Sequence, residues 1–286
     1  MDALAFYPDG KYASVSITGS SCKLQCKYCR GRYLRCMTSV RNPRELYSLA
    51  AKLERKGVRG ILISGGFDEC GRLPFDSFLP VVREIKRRLG FVLSVHPGLV
   101  SRRDAASLKE AGFDVVDYEL VLDPVVVSEL KNLHGVRPRD FLRSLECLLE
   151  EGPPHVAVHI PLGLKYGEID REFEAVASAS ELGPDLLVLL VFVPTRGTPM
   201  ESVPPPPLER VVEVFEFARK KFGGEIALGC MRPPEYKLSL DPLLVEEGLV
   251  DRVAIPKLSL VREKELGVFY SCCSLPRSLL SLFTSL

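Results

Sequence analysis

Apolar runs and amphipathic stretches alternate along the whole of this 286-residue chain. Aliphatic or β-branched segments stand at 12–18, 60–64, 91–96, 115–120, 156–161, 186–194, 225–230 and 252–256. Several are continuous rather than alternating, which is the pattern of parallel strands covered on both faces. Between them lie helix-period stretches at 43–56, 78–89, 103–111, 139–151, 170–182, 208–222 and 241–247. Asn42-Pro43 reads as an N-cap followed by proline in the first turn, and the prolines at 204–207 form an extended lead-in to the next helix. Gly57, Gly90, Gly112, Gly183 and Gly223 follow helical stretches in the C-cap role.

Eight strand–helix units in one chain predict an α/β fold, a (β/α)8 barrel over about residues 11–257, with short extensions at both ends. The whole chain, 1–286, reads as a single domain with no linker. A two-domain doubly wound sheet finds no boundary. The tail, 258–286, is expected to fold over the mouth of the barrel. In such barrels functional groups sit on the loops after the strands, so strand ends become the list of candidate site residues.

Composition narrows the function classes. Apolar residues make up 46% and charged residues 26%, as in ordinary globular proteins. The net charge of +1 gives no electrostatic case for nucleic acid or an anionic membrane surface. No segment has the roughly 18 apolar residues of a membrane span, and no export signal is visible. Nine cysteines without such a signal point to a reducing cytoplasm, where thiolates bind metal more often than they pair.

Three of those cysteines follow the first strand as C-x3-C-x2-C: Cys22, Cys26 and Cys29, with Tyr28 just before the last. Three thiolates on one loop suit three corners of a cubane iron–sulfur cluster and leave the fourth iron open. A structural zinc site would want a fourth ligand nearby, and a ferredoxin would supply a fourth cysteine. Lys23, Gln25, Lys27 and Arg30 argue against a buried core segment.

This motif resembles the signature of the radical S-adenosylmethionine (SAM) enzymes. The resemblance implies a [4Fe–4S] cluster on Cys22, Cys26 and Cys29 whose open iron is chelated by SAM. One electron then splits SAM into methionine and a 5′-deoxyadenosyl radical. After strand two, Ile63-Ser-Gly-Gly-Phe-Asp-Glu-Cys-Gly71 resembles the family's glycine-rich SAM-contacting motif, so Gly65, Gly66 and Asp68 become cofactor-binding candidates. Phe67 stands where the family has an acidic residue, and a simple turn is the plainer alternative. His96 and His159 end strands three and five and are expected to look into the mouth, touching SAM or substrate; satisfied core histidines are the alternative. Strand six ends in Val191-Phe-Val-Pro-Thr-Arg-Gly-Thr-Pro-Met200, which resembles a biotin synthase-like adenine and ribose contact and adds Val193. Tyr28 joins the cofactor set through its place in the motif.

Of the other cysteines, Cys147 reads as helix core and Cys70 has no clear role. Cys36, Cys230, Cys272 and Cys273 are candidate ligands of an auxiliary cluster, if the tail brings them together over the mouth. Alternatively, Cys272-Cys273 merely anchors the tail. Arg232, close to Cys230 at the end of strand seven, is also expected at the mouth.

Taken together, these segments resemble a largely archaeal group of biotin synthase-related proteins, which includes the two partners of an archaeal-type lipoyl synthase. That resemblance implies sulfur insertion into a protein-bound octanoyl chain. The implied partners are an octanoyl-carrier protein or lipoyl domain as substrate, a second radical SAM protein and an electron donor. A radical SAM methylase, mutase or cofactor-biosynthesis enzyme, and a non-catalytic cluster-binding subunit, stand as alternatives.

Overall fold

A computed structural model describes residues 3–284. Its strands are β1 (Leu4–Phe6), β2 (Tyr12–Ser16), β3 (Thr38–Ser39), β4 (Gly60–Ser64), β5 (Val92–Val95), β6 (Val115–Glu119), β7 (His155–Leu162), β8 (Leu186–Val191), β9 (Glu225–Leu228), β10 (Arg252–Ala254) and β11 (Gly267–Phe269). All pair in parallel, in the order β11-β1-β10-β9-β8-β7-β6-β5-β4-β2-β3. From β2 to β10, omitting β3, sequence neighbours are sheet neighbours, as consecutive right-handed crossovers produce. The sheet curves into a half-barrel rather than closing its hydrogen-bond ladder, since β3 and β11 end the row.

Seven helices back the strands: α1 (Pro43–Arg55), α2 (Leu79–Leu89), α3 (Arg102–Ala111), α4 (Pro138–Glu151), α5 (Glu172–Leu182), α6 (Leu208–Lys221) and α7 (Tyr236–Glu246). Their starts are where local chemistry places them. Asn42 Oδ1 accepts from the Glu45 backbone N–H at 3.0 Å, and Ser101 with Asp104 forms a capping box on α3. The seventh helix begins earlier than its sequence pattern suggests, at Tyr236, and carries Pro242 inside it.

Strand alternation divides the core in two. Ile61, Ile63, Leu93, Val95, Val116, Tyr118, Val156, Val158 and Ile160 face the helices. Tyr12, Val92, Val115, Ala157, Leu186, Val188 and Ala227 face the lumen at the strands' N-terminal end. That lower layer is filled by the C-terminal tail: Cys273, Leu275, Leu280 and Phe283 are buried among these residues. The Phe283 ring lies 5.8 Å from Tyr12, and Phe269 stacks on Phe6 at 5.7 Å.

The tail therefore closes the floor of the lumen, not its mouth, which corrects the expectation drawn from sequence. The physical cause is Arg252, the first residue of β10, which is 1% exposed. Its guanidinium donates to the carbonyls of Cys273 (2.7 Å) and Leu275 (2.5 Å) and pairs with Glu225 at the start of β9. Arg277 also pairs with Glu225, at 2.7 Å. Two charged residues at the bottom of the strands tie down a tail whose apolar side chains have only the lumen to enter.

Candidate functional site

The cysteine loop leaves the C-terminal end of β2 and is gripped from both sides. On one side is the segment after β6: the Leu130 carbonyl accepts from the Lys27 N–H (2.7 Å), and the Asn132 amide donates to the carbonyls of Leu24 (2.7 Å) and Gln25 (3.2 Å). On the other is the loop after β4: the Lys23 N–H donates to the Phe67 carbonyl at 2.9 Å, and the Gly66 N–H to Thr18 Oγ1 at 2.6 Å. Gln25 (φ 48°) and Arg30 (φ 45°) hold left-handed backbone conformations, which cost a non-glycine residue roughly 1–2 kcal/mol each. Beyond the loop, the turn Arg32–Cys36 reaches the segment after β8, where Tyr33 Oη and Thr195 Oγ1 are 2.7 Å apart.

Gly66 shows why this approach is possible. A Cβ there would collide with the Ser21 carbonyl and Cys22 Cα, and one on Gly65 would crowd Thr18 Oγ1 at 2.9 Å. The place a side chain would need at either glycine is thus taken by the cysteine loop and by β2's end. Asp68 is occupied in its own turn: Oδ1 accepts from the backbone N–H groups of Cys70 and Arg72, each at 2.9 Å. Val193 lies just past β8, its carbonyl accepting from Thr195 at 3.0 Å.

The electrostatics prepare the loop for a cationic metal centre. Cys26 is buried and its pKa is held down to about 7, by the hydrogen bond from Cys29 and by the ammonium of Lys131. Cys29 is pushed up by the same bond and by burial, so the pair releases its first proton from Cys26. Burial opposes the charge on Lys131, yet Glu119, 2.7 Å away, and the Cys26 thiolate raise its pKa above the ordinary lysine value. Tyr28 is half-buried beside this group, its hydroxyl 3.0 Å from Lys131 Nζ, and desolvation raises its pKa. Three thiols on one loop, one ready to ionise and backed by a buried ammonium, fit the donor set of an iron–sulfur cluster.

Below the loop the lumen turns polar. Ser64 Oγ lies 3.3 Å from His96 Nδ1, and His96 Nε2 lies 3.7 Å from Asp117 Oδ2. His159, at the Glu119 register position on β7, brings its ring centroid 5.9 Å from that of His96. Its Nδ1 donates to the Ala157 carbonyl at 3.2 Å, and burial lowers its pKa, favouring neutral imidazole. Cys230, after β9, is exposed to this lumen but enclosed by protein; burial and the nearby Cys272 push its pKa up to about 11.

A profile of the radical SAM superfamily matches residues 16–179, more than half of the chain and the whole cysteine loop. The chain belongs to the radical SAM superfamily. Biotin synthase of Zymomonas mobilis is 26% identical over 217 residues, covering 73% of this chain and 63% of that protein. 3-Methylornithine synthase of Methanosarcina barkeri is 23% identical over 190 residues, 63% of this chain and 51% of its own. This chain thus spans between half and two thirds of the length of these relatives. Among solved structures, methylornithine synthase superposes with a TM-score of 0.60 at 17% identity, covering 92% and 82% of the two chains. HydG, the FeFe-hydrogenase maturase of Carboxydothermus hydrogenoformans, gives 0.61 at 15% identity, covering 94% and 68%. These superpositions establish that the fold is shared.

Within this radical SAM fold, the expected auxiliary set is only partly gathered. The free thiol of Cys273 hydrogen-bonds to Cys272 and lowers its pKa, and Cys272 lies within electrostatic reach of Cys230 and Asp117. Cys36 is exposed at the end of its turn and is bonded to none of the three among the described residues. The tail carries its cysteines up from the floor, so it cannot cover Cys36 at the mouth. Arg232 does not line the mouth either: fully buried, it makes a bidentate pair with Asp241 (2.7 and 2.5 Å) and donates to the Gly229 and Ala254 carbonyls. Sequence reasoning missed Lys131 and gave Asp117 no role. Asp117 and Glu119 are two apart on β6, and that spacing would have put both carboxylates in the lumen.

Proposed function

We propose that this radical SAM enzyme holds a [4Fe–4S] cluster through Cys22, Cys26 and Cys29, with SAM beside the Gly65-Gly66 loop, and inserts sulfur into a protein-bound octanoyl chain. When bound, the cluster supplies the one-electron chemistry that makes a carbon radical from SAM, which unactivated C–H bonds require. The observation that carries the reading is a three-thiol loop opening onto a lumen that also holds the thiols of Cys230 and Cys272. Lys131 offsets thiolate charge, Tyr28 and Glu119 hold Lys131, and the apolar floor keeps water from entering beneath the substrate. The similarity to biotin synthases supports sulfur chemistry at the level of family analogy. The partners in this reading are an octanoyl-carrier protein or lipoyl domain, an electron donor and a second radical SAM protein, in a reducing cytoplasm.

A second reading is a carbon-skeleton or cofactor-forming reaction with one cluster. It is favoured by Cys36 standing outside the thiol group and by relatives that include 3-methylornithine synthase and 7,8-didemethyl-8-hydroxy-5-deazariboflavin synthase. Anaerobic reconstitution with iron and sulfide tests both. The unmodified chain is expected to form 5′-deoxyadenosine from SAM and reductant, and Cys26→Ala to form none. A Cys26→Ala chain that still makes 5′-deoxyadenosine overturns the loop assignment. Iron above about four per chain that disappears in Cys230→Ala supports the sulfur reading; no iron beyond the loop's share leaves the second.

A further inference from the structure

We propose that His96, Asp117 and His159 form a second metal site, separate from the thiol loop, which takes a single divalent first-row cation such as Fe2+ or Zn2+. One ligand atom from each of the three lies within 4.8 Å of the others. A cation bonded at about 2.0–2.2 Å in tetrahedral geometry holds its donors about 3.3–3.6 Å apart, and His96 Nε2 is already 3.7 Å from Asp117 Oδ2. Small side-chain rotations complete the set.

Asp117 makes the case. Its side chain is fully buried, and neither carboxylate oxygen has a hydrogen-bond partner. Among the described residues no lysine or arginine comes within ion-pair distance, whereas Glu119, two positions on, is paired with Lys131. An uncompensated buried carboxylate is strongly unfavourable. The two histidines are held as a metal would want them. The Ala157 carbonyl accepts from His159 Nδ1 and Ser64 Oγ faces His96 Nδ1, so with Nδ1 protonated each Nε2 keeps its lone pair. Two imidazole lone pairs and a carboxylate around one space are all acceptors. A cation satisfies them together; two histidines and one carboxylate, with further positions open to the lumen, is a donor set that iron and zinc both accept. The open positions face the space that a substrate would enter.

The test is cobalt(II) titration of the metal-free 286-residue chain carrying Cys22→Ser, Cys26→Ser and Cys29→Ser, so that the loop cannot compete. One equivalent is expected to bind with visible ligand-field bands and no sulfur-to-cobalt charge transfer, and zinc should displace it. Asp117→Asn and His159→Gln should weaken binding by about 100-fold or more, beyond the roughly 10–100-fold expected for Ser64→Ala, which removes only a supporting contact. Thermal melts in chelator check that these variants fold. Pulsed EPR of bound copper(II) reads the site without mutating it, and two coordinated imidazoles are expected. No cobalt uptake, unchanged affinity in a folded Asp117→Asn, fewer than two imidazoles, or sulfur charge transfer that vanishes with Cys230→Ala would overturn the site.

Discussion

At the mouth of the lumen, the loop of Cys22, Cys26 and Cys29 is held through its main chain by hydrogen bonds with the segments after β4 and β6. At the floor, Cys272 and Cys273 are held by apolar packing and by one arginine that binds the carbonyls of Cys273 and Leu275. The first arrangement fixes the main chain and leaves the sulfur atoms to a ligand. The second makes the cysteines part of the same packing that keeps the barrel shut. Changes at the mouth should therefore reach chemistry before stability, and changes at the floor should do the reverse.

Gly66→Val tests the mouth most severely. The new side chain needs the place of Ser21 and Cys22, and the main chain there cannot yield without releasing its bonds to Phe67 and Thr18. Iron bound by the loop and 5′-deoxyadenosine formation should both fall by at least about 100-fold, a loss of roughly 2.7 kcal/mol or more. The barrel should stay folded by circular dichroism. Normal iron content would mean that the glycine is not what admits the loop.

Arg252→Met is the counterpart at the floor. It strips Glu225 of a buried partner and leaves the Cys273 and Leu275 carbonyls without a donor. Glu225 keeps Arg277, so the loss, about 2–4 kcal/mol, comes mainly from the two buried carbonyls left without a donor. Urea unfolding should show that loss, while the folded fraction keeps its loop iron. A folded Arg252→Met chain with unchanged stability would show that the tail holds itself in place by packing alone. Loss of loop iron from the folded fraction of the same variant would contradict the division between floor and mouth.

The parallel α/β order was legible because eight strand-like runs, several of them continuously apolar, alternate with helical stretches that end in glycine caps. The short strands β1, β3 and β11 were not, because two or three residues carry no periodicity. The thiol loop could be read because its spacing is local. The direction of the tail could not: it depends on Arg252 and Glu225 meeting residues more than twenty positions away. Arg232 misled for the same reason. Its place after a strand suggested the mouth, and only Asp241, nine residues on, turns it into the core.

The smallest effect in this comparison is set by a proton. Cys26 sits near pH 7 in the folded chain, below the ordinary thiol value of about 8.5. A group whose folded pKa is depressed adds stability above its unfolded pKa and loses it as pH falls through the folded value. Metal-free protein should therefore gain up to about 2 kcal/mol from this group between pH 6.5 and about pH 8.5. Cys230 runs the other way: its folded pKa, about 11, is raised, so its thiol contributes stability below the unfolded pKa that is lost between roughly pH 8.5 and 11. Urea midpoints of the unmodified chain and of Cys26→Ala, compared at pH 6.5 and 8.5, isolate the first effect. The difference between the two proteins should grow with pH. A constant difference would mean that the Cys29 hydrogen bond and Lys131 do not hold a thiolate at Cys26, and that the mouth owes its readiness for metal to backbone geometry alone.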